Sequence, residues 1–114
     1  MAYYHELPVY KASYDLLLGI FQFTKNFNKE YKYTVGESLK KETTELIITI
    51  YKTNATKEKE IWLNKAKEHV EVIRLLIRLM KDLKQISIKA FVQINDQIEN
   101  VSKQLNGWQK SQKA

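Results

Sequence analysis

The chain has 114 residues and 13.5 kDa, with 19 Lys+Arg against 13 Asp+Glu, a net charge of +6 and a pI near 9.4. Cysteine is absent, which excludes a disulfide framework, a thiol nucleophile and cysteine-ligated zinc. Three glycines and one proline are too few for the frequent turns of an all-β chain, and 44% hydrophobic with 28% charged residues is a globular balance. This length suits one domain, residues 1–114, and the positive excess favours an anionic partner.

The opening Met1-Ala-Tyr-Tyr-His-Glu-Leu-Pro8 has neither the basic nor the apolar region of a signal peptide. The strongest apolar stretch, Leu16 to Phe21, is broken by Gly19 and falls far short of the roughly 20 residues of a membrane span. The expectation is a cytoplasmic protein with no membrane partner.

Four helices follow from the 3.6-residue periodicity. The first covers about 8–26, with Pro8 where a missing N–H costs least. Its core face is Val9, Ala12, Ser13, Leu16, Ile20, Phe23 and Phe27. The second covers about 35–53, opened by Thr34-Val-Gly-Glu37 in a capping-box pattern, with Val35, Leu39, Thr43, Leu46, Ile47 and Ile50 inward. The third covers about 57–84, capped by Thr56, with Glu58 and Glu60 complementing the dipole of the first turn. Its inward face reads Trp62, Ala66, Val70, Ile73, Leu76, Ile77, Met80 and Leu83. The fourth covers about 88–106, with Ser87 as N-cap, Phe91 to Trp108 at regular 3–4 spacing and Gly107 as a C-terminal stop. Four such helices joined by short connections predict an all-α, antiparallel four-helix bundle.

The residues that a bundle core does not need form three strips. Tyr10, Tyr14, Leu17 and Phe21 make a second apolar strip on the first helix. Ile61, Val72, Leu75 and Leu79 make another on the third. Exposed apolar strips with aromatics fit a subunit or partner interface; a broad core face with scattered apolar groups is the other reading. On the opposite flank of the third helix stand Lys67, Arg74, Arg78 and Lys81. Residues 57–89 hold nine basic and five acidic side chains, net +4 of the total +6. Arginine's planar fork suits phosphate, and a straight cationic row can follow a nucleic-acid backbone. The alternative is a solvated face in which Glu71 pairs Arg74 or Arg78.

No catalytic constellation is present. His5 and His69 are far apart, no HxxxH, HExxH or Glu-x-x-His pattern occurs, and the glycines do not form a phosphate loop. His69, inside an apolar face, reads as a hydrogen-bonded core or interface histidine. The expectation is a non-enzyme without metal or cofactor.

Several segments carry a family resemblance. Tyr14-Asp-Leu-Leu-Leu, then Thr24-Lys-Asn-Phe-Asn-Lys-Glu-Tyr-Lys-Tyr-Thr-Val-Gly-Glu37, resemble the accessory protein (Avd) of diversity-generating retroelements. So do Glu71-Val-Ile-Arg-Leu-Leu-Ile-Arg-Leu-Met-Lys-Asp-Leu-Lys-Gln-Ile-Ser87 and Gln104-Leu-Asn-Gly-Trp-Gln-Lys-Ser111. A more distant similarity is to four-helix proteins encoded in bacterial 23S ribosomal RNA intervening sequences. Those carry an Asn-Ile-Ala-Glu-Gly-like segment where this chain reads Ile50-Tyr-Lys-Thr-Asn-Ala55, which favours the retroelement branch. The resemblance implies a barrel-like homopentamer that binds RNA and DNA and associates with the element's reverse transcriptase during error-prone copying of a template repeat. It maps nucleic-acid binding to Arg74 and Arg78; Lys67 and Lys81 join them by helix geometry alone. The apolar strips would then be contacts between protomers. The alternative is a helical homo-oligomeric scaffold without a nucleic-acid role.

Overall fold

The computed structural model describes residues 3–113. Residues 1, 2 and 114, within the expected domain limits, lie outside the described residues. After a 3₁₀ turn at Tyr4–Glu6 come four long helices: α1 (Pro8–Thr24), α2 (Val35–Ala55), α3 (Lys59–Asp82) and α4 (Ile88–Ser111). No strand occurs among the described residues. Each helix packs against its sequence neighbours, and α4 returns to α1, so the four close into an up-down-up-down bundle of 45 × 22 × 21 Å.

The core is the set of positions that period 3.6 turns inward. Leu16 and Ile20 of α1, Leu39, Leu46 and Ile50 of α2, Ile73 and Ile77 of α3, and Ile94, Ile98 and Leu105 of α4 are fully buried. The core face of α2 also carries Thr43, Thr49 and Thr53. Each donates its hydroxyl to the carbonyl four residues back, at 2.7 Å, so three polar groups enter the core satisfied. Ser13 of α1 is equally buried, but its hydroxyl has no hydrogen-bond partner among the described residues.

Several helix boundaries and caps differ from those expected. The Thr34–Glu37 capping box does not form: a helical turn at Lys29–Lys32 presents the Glu30 carbonyl, and the Thr34 hydroxyl donates to it at 2.7 Å. The first helix therefore ends at Thr24, and Phe27 reaches the core from the connection. Helix α3 starts at Lys59, two residues later than expected, because Thr56 accepts the Glu58 N–H at 3.2 Å and holds the chain in a turn. Helix α4 runs through Gly107 to Ser111, since the apolar spacing continues to Trp108 and its packing outweighs one exposed glycine.

In α3, Leu63 occupies the core while Trp62 is half-buried at the rim with Lys52 and Lys65 over its ring, at 5.1 and 4.3 Å. A bundle's supercoil drifts by about 20° per heptad from the straight-helix wheel, and a large amphipathic indole between two cations favours the rim. Leu83, expected inward, lies past the last turn of α3 and is 41% exposed. Ser87 caps α4 as expected, accepting the Ala90 N–H at 3.0 Å.

Candidate nucleic-acid interface

The cationic strip runs along α3 where it borders α4, and each member meets that border differently. Lys67 donates to Oε1 of Gln109 on α4 at 2.9 Å. The amide nitrogen of Gln109 turns back to Glu60 and Asn64 of α3, at 3.1 and 2.9 Å. Lys81 places its ammonium over the ring of Phe91 on α4, 4.8 Å from the centroid. These contacts orient the two lysines and leave their charge uncancelled.

Arg74 is held differently. Its Nη1 contacts Glu71 one turn back, and its Nη2 contacts Glu99 on α4. Partial burial disfavours the charged guanidinium, but the hydrogen bonds and charge of Glu99 and Glu71 outweigh it and hold the group above its ordinary value. Two carboxylates thus occupy both ends of the fork that would otherwise grip a phosphate. Arg78, one turn on, is exposed and makes no ion pair among the described residues. The pairing of Glu71 with Arg74 matches the solvated-face reading; Glu99 was not legible, because a single-helix wheel does not show which residue of another helix faces it.

The apolar strips stand at the surface. On α1, Tyr14 and Phe21 are exposed while Tyr10 and Leu17 are half-buried. This strip borders α2: the Tyr4 ring packs edge-on against both Tyr10 and Tyr51, and Lys40 lies 4.9 Å over Phe21. On α3, Ile61, Val72 and Leu79 are exposed and Leu75 is 65% exposed. They lie beyond the flank where His69 Nδ1 pairs with Glu42 Oε2 of α2 at 2.7 Å. His69 is hydrogen-bonded, as expected, and stands half-buried between α3 and α2 rather than in the core.

Fold and surface together define a basic all-α bundle with apolar strips and cations displayed outside its core. The bAvd-like family model matches residues 9–112, and the chain belongs to that family. Membership gives it an accessory role in diversity-generating retroelements. A search of curated proteins returned no match. No helix among the described residues is long and apolar enough to cross a membrane.

Proposed function

We propose that the protein is a non-catalytic, nucleic-acid-binding accessory subunit that works in the cytoplasm with a retroelement reverse transcriptase and supports template-repeat copying during targeted gene diversification. The observation that carries this reading is the α3 strip in a family of retroelement accessory proteins. Arg78 is open and Lys67 and Lys81 are oriented with their charge intact, while Arg74 beside them bridges Glu71 and Glu99. Such a flank makes phosphate contacts without inserting a recognition element into a groove, so binding is largely sequence-independent.

The subunits assemble as a barrel-like homopentamer. Its support is the pair of apolar surface strips, exposed Tyr14 and Phe21 with half-buried Tyr10 and Leu17 on α1, and exposed Val72, Leu75 and Leu79 on α3. Two different patches on one protomer permit a heterologous contact, the kind that closes rings. A ring multiplies the +6 of each chain into a field suited to polyanions.

The test is a titration of RNA, DNA and hybrid at several salt concentrations. Log affinity falls steeply with log salt, and Arg74→Ala combined with Arg78→Ala reduces the slope. Wild-type behaviour of the double variant would make the strip a solvated face and leave the oligomeric scaffold as the better reading.

A further inference from the structure

The α3 flank holds only part of the open charge. In the up-down bundle α1 and α3 run parallel, so the connection after each crosses the same pole. The two connections are joined there: the Asn28 backbone N–H donates to Gln85 Oε1 at 2.7 Å, and Phe27 and Ile86 are buried beneath. Lys25, Lys29 and Lys32 come to this pole from the first connection. Arg78, Lys81, Lys84 and Lys89 come from the end of α3, the second connection and the start of α4. Residues 25–34 and 78–89 hold seven basic and two acidic side chains, a net +5 of the chain's +6. None of the seven makes an ion pair among the described residues, in contrast to Arg74.

Lys84 sharpens the observation. It closes α3 with φ of 60°, as Gln85 N–H bonds to the Met80 carbonyl at 2.8 Å and Lys84 N–H to that of Lys81 at 3.0 Å. This is the helix-ending pattern in which glycine fits without strain. A lysine there meets a steric penalty that glycine avoids, and in exchange places one more cation at the pole.

We infer that this pole is a second nucleic-acid contact, separate from most of the α3 strip, which receives the phosphate backbone across the end of the bundle. The inference rests on the nucleic-acid reading above. The end is 22 × 21 Å across, and one strand of a duplex presents a phosphate every 3.4 Å or so along its axis, so about six phosphates span it. Seven cations, without an ion pair among the described residues, are enough for that number. Tyr33, exposed beside Lys32 (5.9 Å from ring centroid to ammonium), adds an aromatic face to the same end.

The test is fluorescence anisotropy of mixed-sequence duplex DNA and single-stranded RNA across a salt series. One variant combines Lys29→Gln, Lys84→Gln and Lys89→Gln. A control of equal net charge combines Lys57→Gln, Lys110→Gln and Lys113→Gln at the opposite pole. The pole variant lowers the duplex log–log slope by about 2.7, from about 0.9 per lost phosphate contact, while the control changes it by less than one such contact. Lys84→Gly alone raises the melting temperature and lowers the slope by about 0.9, opposite movements that a structural role cannot produce. A pole variant that keeps the wild-type slope, or a control that loses as much, overturns the inference and leaves the nucleic-acid reading intact. The first result would point instead to an acidic protein surface as the partner of this end. Wild-type protein that binds neither probe overturns both.

Discussion

Arg74 and Arg78 are one turn apart on α3, yet the structure gives them opposite surroundings, and single substitutions separate them. Arg74 bridges Glu71 within α3 and Glu99 on α4. Its side chain is 31% exposed and both carboxylates are more open, so solvent screening places each pair in the surface range. Two such pairs contribute on the order of 1 kcal/mol together. For a domain of this size that is about 4 °C of melting temperature. Arg74→Gln is therefore expected to lower the melting temperature by that amount at low salt, less at high salt, and to leave the nucleic-acid salt slope nearly unchanged. Because its pKa is raised, Arg74's contribution is fully present below the ordinary arginine value and is lost only as pH climbs through the raised one. The loss in Arg74→Gln is thus the same at neutral and mildly alkaline pH. Arg78→Gln does the reverse: it melts as wild type and lowers the duplex slope by about 0.9. Calorimetry and anisotropy on the same preparations read both effects. An Arg74→Gln protein that melts as wild type but loses slope as Arg78→Gln does would refute the reasoning, since Arg74 would then be a phosphate ligand rather than a bridge.

Three further outcomes follow from the packing. Ser13→Ala removes a buried hydroxyl without a partner, so it is expected to raise stability by about 1 kcal/mol in chemical denaturation; a loss of similar size would mean that the hydroxyl is satisfied in solution. Gly107→Ala adds a methyl with nothing within 4 Å in an exposed helix interior, and a gain of roughly 0.5–1 kcal/mol is expected by the same assay. Tyr14→Ser combined with Leu75→Ser touches only exposed apolar groups; light scattering is expected to show a smaller mass than wild type, whereas an unchanged mass would exclude these strips from the interface.

The sequence carries the core because each helix writes its buried stripe locally. Leu16, Leu46, Ile73 and Ile98 all lie where a wheel places them. It fails where tertiary geometry decides. Trp62 and Leu63 exchange places because drift over a long helix is invisible to a fixed 100° step. Thr34 gives its hydroxyl to Glu30 because an unforeseen turn brings that carbonyl within reach. The candidate site divides the same way. Periodicity aligns Lys67, Arg74, Arg78 and Lys81 on one flank, but the carboxylate of Glu99 comes from another helix. Likewise Lys29 and Lys84 lie in connections without periodicity, so no wheel places their side chains; the antiparallel order brings those connections to one pole, and the bond between Asn28 and Gln85 joins them there.

The central claim is that the unpaired cations of this bundle engage nucleic-acid phosphates. The most direct measurement is the salt dependence of wild-type affinity for duplex DNA between roughly 50 and 200 mM salt. If the open cations of the pole and flank are used, the log–log slope lies near −5 or steeper, at about −0.9 per phosphate contact. No binding at the low end, or a slope shallower than about −1, would contradict it.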